Sequence, residues 1–332
     1  MFDIITFGSA AQDIIVRPKK LTNLNYKKEA SLSQVCFPTG GKIDVEEFDF
    51  YSGGGGTNTA ATFALQGFKA AFCGTIGDDV SGQEIITELK ELKVNTGLVR
   101  FTREKLTNHS IVISNDGQDR TILAYRGAAE LMDKKQIPWG KLKAKWLYLA
   151  PLSGLLCDNF EELVNFAFDR KIKLAVNPGI SQLSLPNFAE IAKKIDILLL
   201  NQEEASFLTK IPYEQEQDMF KKIDEMCPGV TVMTKGGAGV VVSDGKYLYS
   251  ALPPEGRLIV DTLGAGDAFG SGFVAEFMRT ANIEKAVQFG MANSVGNLTQ
   301  IGAKTGLLKK GEPFEPVNVV RAECDNYVCL VK

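Results

Sequence analysis

Histidine is nearly missing from this sequence: among its 332 residues only His109 carries an imidazole. Ser-His-Asp and Cys-His centres need an imidazole base beside the nucleophile, so neither is expected here. Paired cysteines are missing too. Cys36, Cys73, Cys157, Cys227, Cys324 and Cys329 form no Cys-x-x-Cys, which removes a structural zinc site from consideration. Cys324 and Cys329 could bridge, but a reduced pair is expected in an intracellular enzyme. No run approaches the roughly 18 apolar residues of a membrane span. The N-terminus has Asp3 and no basic stretch, so it reads as a first strand instead of a signal peptide, and a cytoplasmic location is expected. Basic residues cluster no further than pairs and the net charge is −3, which argues against nucleic acid or an anionic membrane as partner. Gly-x-x-x-x-Gly-Lys-Ser/Thr occurs nowhere, so a P-loop kinase is excluded.

Against these gaps stand two glycine-rich runs. Residues 261–274 read Asp-Thr-Leu-Gly-Ala-Gly-Asp-Ala-Phe-Gly-Ser-Gly-Phe-Val. Gly264, Ala265 and Gly266 leave backbone N–H groups open to a ligand, and the apolar run after Asp267 predicts a helix whose start attracts anions. A carboxylate there suits proton abstraction from an attacking hydroxyl as a phosphoryl group arrives. The plainer alternative makes Asp267 an ordinary helix cap. Upstream, residues 53–60 are Gly-Gly-Gly-Gly-Thr-Asn-Thr-Ala, followed by a helix-like stretch at 61–66. Four successive glycines cost backbone entropy and would be odd in a merely structural connection.

Apolar β-rich runs at 4–7, 71–76, 146–149, 174–176, 195–200 and 230–234 alternate with helix-like segments, which argues for an α/β fold with a largely parallel sheet covered on both faces. The hydrophobic fraction of 45% suffices for such a core. Residues 109–114 and 120–125 instead alternate apolar with polar residues, and Asn115-Asp116-Gly117-Gln118 between them signals a hairpin. The expected division is a large α/β domain of residues 1–11, 53–96 and 127–332, with a small antiparallel β unit of residues 12–52 and 97–126.

The two glycine-rich runs together resemble the signatures of the PfkB family of carbohydrate kinases, the ribokinase-like family. Gly55, Gly56, Asn58, Ala60, Gly67 and Gly77 stand at the spacing of its first signature, and residues 261–274 match its second throughout. Gly8, Ser9 and Asp13, Asn177-Pro178, Asn201-x-x-Glu204 and Thr234-Lys235-Gly236-x-x-Gly239 extend the likeness along most of the chain.

The resemblance implies a ribokinase-like fold whose small β unit is a lid over the substrate, shared between two subunits in many relatives. It implies an ATP-dependent kinase acting on a small sugar. Asp267 would be the base and the 264–267 turn the anion hole. Asp13, Gly54, Gly55 and Asn58 would hold the sugar; Thr234, Lys235, Gly236, Gly239, Asn201 and Asn293 would serve the nucleotide. Asn201 and Glu204 would order the waters of Mg²⁺, a role compatible with Asn201 simply capping the next helix. Asp261, the Leu263 carbonyl and the Gly302 region resemble a potassium site.

The chain departs from ribokinases at Gly55, where they carry Lys, and at Leu149-Ala150-Pro151, where they carry Glu. Arg126 falls where ribokinases have a small residue, and its fork could pair with a carboxylate or phosphate, or form a surface salt bridge. Ribose, a ketose, a sugar acid or a nucleoside such as adenosine or inosine all remain open as acceptors. A dehydrogenase is suggested only by Gly270-x-Gly272-x-x-Ala275, which follows no strand; a noncatalytic sugar-binding protein is the remaining alternative.

Overall fold

Strand Phe2–Phe7 alternates its side chains between two apolar layers, and the whole molecule is arranged around it. In the computed structural model, which describes residues 1–19, 22–25, 33–37, 39–113, 121–325 and 328–330, Ile5 and Phe7 enter one buried cluster and Ile4 the other. Being apolar on both faces, the strand is stable only in the middle of a sheet. It pairs in parallel with Ala70–Cys73 on one side and Ala144–Leu149 on the other. From Ala144–Leu149 the parallel order continues through Lys173–Val176, Ile197–Asn201 and Val230–Thr234. Four antiparallel strands then complete a ten-stranded sheet, and their last pairing sets Cys324 opposite Cys329. Chain order changes direction at Phe2–Phe7, and ligands of open α/β sheets bind beyond the carboxyl ends of the strands at such a point.

Two local expectations are corrected. The run at 71–76 is not one strand: it breaks at Gly74 into Ala70–Cys73 of the large sheet and Thr75–Gly77, which pairs with Arg100–Thr102. A Cβ on Gly74 would stand 2.5 Å from the Phe72 ring and 2.9 Å from the Gly8 carbonyl oxygen, so the chain can turn there only as glycine. The helix expected at 61–66 starts earlier, as Gly55–Leu65, inside the glycine run.

The small sheet has the strand order Thr121–Tyr125, Asn108–Ile113, Ala11–Pro18, Val45–Gly53. Its two outer pairings are antiparallel and its middle one is parallel. Thr121 pairs with Ile113 as a hairpin requires; the turn expected at Asn115–Gln118 lies outside the described residues. Among the described residues no helix is long and apolar enough to cross a membrane.

Candidate active site

Helix Ala265–Thr280 begins at Gly264, whose φ of 80° and ψ of −3° lie in the left-handed region. Glycine takes this conformation at no Cβ cost. A side chain there would also collide, since its Cβ would be 2.6 Å from that of Ala303. The helix therefore starts before Asp267, not after it, and Asp267 sits inside the first turn. Its carboxylate does not cap the helix: Oδ2 accepts a 2.9 Å hydrogen bond from Asn58 Nδ2. The cap alternative fails on this contact, and the first-turn N–H groups remain without partners inside the helix.

Asn58 reaches Asp267 because the glycine run is wound into helix from Gly55 onward. Gly54, with φ 96°, turns the chain against Ser9, and Gly56 N–H donates to the Ser9 carbonyl at 3.1 Å. A Cβ on Gly53 would lie 1.9 Å from Asp13 Oδ2, so the Asp13 carboxylate rests directly on that glycine. A Cβ on Gly55 would be 3.5 Å from Asp267 Oδ1. The two glycine runs and Asp13 thus converge on one small space. Asn58 Oδ1 is buried without a hydrogen-bond partner among the described residues. An acceptor left empty in that position is an expected docking point for a hydroxyl donor.

Asp267 lies at the bottom of this space, and the surrounding protein pushes its carboxyl pKa up by desolvation. The Asn58 hydrogen bond and the charge of Lys304 oppose the shift, while the charge of Asp13 adds to it. Lys304 was not singled out from the sequence, because a lone Lys in a polar turn carries no motif. Its side chain is only 4% exposed.

Beside the anion turn opens a cleft of about 340 Å³, lined by Thr234, Gly236, Gly239, Ala265, Gly266 and Ser294 among others. The helix start therefore borders it: Ala265 N–H donates to the Thr262 carbonyl at 3.4 Å, while Gly266 N–H, in the first turn, has no partner inside the helix and favours a phosphate. Two residues expected on the nucleotide side do not line this cleft. Asn293 is fully buried, its Nδ2 donating to the Ala268 carbonyl at 2.8 Å and its Oδ1 accepting from Leu308 N–H at 2.9 Å. It ties helices together, and Ser294 lines the cleft in its place. Lys235 is not among the lining residues and pairs with Glu216 at 2.8 Å.

Asn201 and Glu204 form a reciprocal cap on helix Gln202–Thr209: Asn201 Oδ1 accepts from Glu204 N–H, and Glu204 Oε2 from Asn201 N–H, both at 2.8 Å. Burial pushes the Glu204 carboxyl up. One Glu204 oxygen stays outside this box. Among the described residues no group of three or more His, Cys, Asp or Glu gathers as metal donors.

Asp261 ties two loops together, Oδ1 accepting from Leu263 N–H at 2.9 Å and Oδ2 from Gly302 N–H at 3.0 Å. The Gly302 carbonyl accepts from Asn297 Nδ2 and Thr305 Oγ1. The Asp261 carboxylate and the Gly302 carbonyl thus each accept hydrogen bonds from within the protein. Arg126 is exposed and pairs with no carboxylate among the described residues. Gly270 and Gly272 lie mid-helix, against Tyr148 and Asn293 respectively, so the dinucleotide fingerprint they mimic is a packing feature.

Comparison with known proteins bears on the same geometry. A family model described as pfkB family carbohydrate kinase matches residues 3–310. A cytidine kinase of Thermococcus kodakarensis is 26% identical over 79% of this chain and 90% of its own length. A ribokinase of Haemophilus influenzae is 26% identical over 81% of this chain and 88% of its own. The solved Arabidopsis thaliana ribokinase, complexed with ribose and ATP, superposes with a TM-score of 0.75 at 22% identity, covering 93% of this chain and 96% of that one.

Proposed function

Since the chain belongs to the pfkB family of carbohydrate kinases, we propose that it transfers the γ-phosphoryl group of ATP to a hydroxyl of a small sugar, whether ribose, a ketose or a sugar acid. The observation that carries this reading is the 2.9 Å bond between Asn58 and Asp267, which joins the sugar-side glycine run to the anion turn. Asp13, Gly54, Gly55 and Asn58 hold the sugar, with the empty Asn58 Oδ1 accepting from one of its hydroxyls. Asp267 takes the proton of the attacking hydroxyl. The N–H groups of Gly264, Ala265, Gly266 and Asp267 stabilise the charge that develops on the transferred group. ATP occupies the cleft lined by Thr234, Gly236 and Gly239. Mg²⁺ would be held through water by Glu204 and Asn201 and would neutralise phosphate charge. The Asp261 carboxylate and the Leu263 carbonyl, in the loop that Asp261 ties to Gly302, would be the ligands of a potassium ion, which the K⁺ and Na⁺ arms of the assay below test.

The likeness to a cytidine kinase favours one second reading, a nucleoside kinase using the same base with a nucleobase under the lid. Both readings are tested by ATP-dependent ADP release, with Mg²⁺ and with K⁺ or Na⁺, across ribose, fructose, 2-keto-3-deoxygluconate, sugar phosphates, cytidine, adenosine and inosine. Turnover with a free sugar supports the first reading. Turnover confined to nucleosides replaces it with the second. Silence across the panel leaves an acceptor outside it or a binding protein. Response to the sugar acid alone, lost in Arg126→Ala, would give that exposed guanidinium a carboxylate to bind.

The small sheet, residues 12–52 and 97–126, serves in this reading as a lid that keeps water from competing with the sugar for the phosphoryl group. The remaining residues, 1–11, 53–96 and 127–332, form the catalytic domain. A row of cross-strand partners, Leu123, Ile111, Ile14 and Phe50, spans all four lid strands. Leu123 is 54% exposed and Phe50 59%. So large an open apolar row supports a homodimer through the lid. Phe50→Glu is expected to convert a dimer to monomers in sedimentation velocity; an unchanged sedimentation coefficient would refute pairing through this face. Cys73, Cys157 and Cys227 are free and buried, which agrees with a reducing, cytoplasmic setting.

A further inference from the structure

Lys304 is an ammonium with more donors than the protein satisfies. Its side chain, almost sealed from solvent, comes from the turn that follows helix Ile283–Leu298. That turn is rigidly built. Asn297 Nδ2 donates to the carbonyls of Gly302 and Thr305, and Gly302 N–H donates to Asp261. Lys304 Nζ donates to Ser52 Oγ at 2.5 Å and to Glu88 Oε2 at 3.3 Å. The Ser52 hydroxyl donates its own hydrogen bond to Glu88 Oε2, so its lone pairs are left to the ammonium. Two of three N–H groups are thereby fixed, and the third has no partner among the described residues. A surface lysine would turn that hydrogen to water; one with 4% of its side chain exposed cannot do so freely.

The surroundings say where the third donor is used. Ser52 directly precedes Gly53, on which the Asp13 carboxylate rests. Both Asp13 and Asp267 act on Lys304 electrostatically and oppose the lowering of its pKa by burial. Ala303, the residue before Lys304, packs directly on Gly264 of the anion turn, and the Lys304 partner Ser52 adjoins the glycine that carries Asp13, so the cation is held between the anion turn and the Asp13 strand, next to the acceptor space. That space presents an unused acceptor, Asn58 Oδ1, and an unused donor, the third N–H of Lys304. A hydroxyl both donates and accepts, so a polyhydroxyl compound fills the two vacancies together.

We propose that Lys304 is a specificity-determining residue of the acceptor site, donating the third N–H of its ammonium to one hydroxyl of a neutral polyol substrate. This rests on the sugar-kinase reading above. It makes Ser52 and Glu88 positioning residues that hold the ammonium in place.

The test measures kcat/KM for single-position deoxy analogues of the best acceptor, using wild type, Lys304→Met, Lys304→Arg and the charge-balanced Lys304→Met/Glu88→Gln. In wild type, loss of the contacted hydroxyl should cost roughly ten- to a hundredfold, the scale of a hydrogen bond to a charged group. In both Met variants that one penalty should disappear while the penalties at other positions persist, because the partner of only one hydroxyl has been removed. KM for ATP should stay within about twofold, since no uniform binding to the nucleotide is lost. Lys304→Arg should restore part of the penalty. A merely structural lysine would lower activity toward all analogues alike, and retention of every deoxy penalty in both Met variants overturns the proposal. If wild type phosphorylates no sugar at all, the parent reading falls and this one with it.

Discussion

Replacing Asp267 by Asn lowers kcat by about two to four orders of magnitude, the usual contribution of a positioned general base, and leaves KM for ATP nearly unchanged. Asparagine is isosteric and still accepts from Asn58 Nδ2 through its carbonyl oxygen, so the 2.9 Å contact that links the two glycine runs survives. What disappears is the capacity to take a proton. The nucleotide cleft draws on Gly266 of the helix start and on the 234–239 loop, and none of these is altered. Steady-state kinetics with the acceptor found in the panel, at saturating ATP, measure both quantities. A variant with wild-type turnover would remove Asp267 from the chemistry.

The same variant is expected to be more stable than wild type at neutral pH. Desolvation is the largest influence on Asp267 and raises its folded-state pKa above the ordinary 3.8. A carboxyl raised in the folded state contributes stability that is fully present below its unfolded pKa and is lost as pH rises through the folded one. Wild type therefore gives up stability on the alkaline side of 3.8, whereas Asn does not titrate. The gain should be about 1 kcal/mol, in the range seen when a site built for activity is relieved. It should vanish below 3.8, where Asp267 is neutral in both states. Thermal melts of the two proteins across pH 3 to 8 check the sign. A gain that persists unchanged in acid would point to packing instead of charge.

Both glycine runs were legible in the sequence because glycine is chosen where a side chain cannot go, and this restriction acts locally. Gly53, Gly54 and Gly264 each meet another part of the chain at less than 3.0 Å from an added Cβ. The parallel strands were legible because both of their faces are buried, which forces continuous apolar runs. Less visible were features fixed by three-dimensional packing. Asn293 stands at a position that the family resemblance puts near the adenine, yet a helix places neighbouring residues about 100° apart, and here Ser294 lines the cleft while Asn293 is buried in the core. Lys235 sits within a matched motif, but Glu216 from a different helix claims its ammonium. Lys304 was invisible for the opposite reason. Its partners Ser52 and Glu88 lie far upstream in sequence, and only the fold brings them together.

Gly264→Ala and Gly266→Ala separate the two uses of the anion turn. At Gly264 the left-handed backbone alone costs a side chain about 1 to 2 kcal/mol. The added methyl would also stand 2.6 Å from Ala303 Cβ and 2.7 Å from its Cα, and a backbone neighbour cannot swing aside. Either the helix start or the 302–305 turn must move, carrying Asp267 or Lys304 with it. A displacement of about 1 Å costs on the order of a hundredfold in rate, so Gly264→Ala should melt earlier and also turn over poorly. Gly266 is different. It lies within the helix, no atom stands within 4 Å of its added Cβ, and alanine favours the helix by up to about 1 kcal/mol. Gly266→Ala should therefore melt no lower than wild type, while its methyl projects into the cleft that Gly266 lines and raises KM for ATP. Melting curves and ATP titrations of the two variants read the difference directly. Loss of stability in Gly266→Ala would mean that this glycine serves the fold, and an unchanged KM for ATP would mean that phosphate does not approach the helix start.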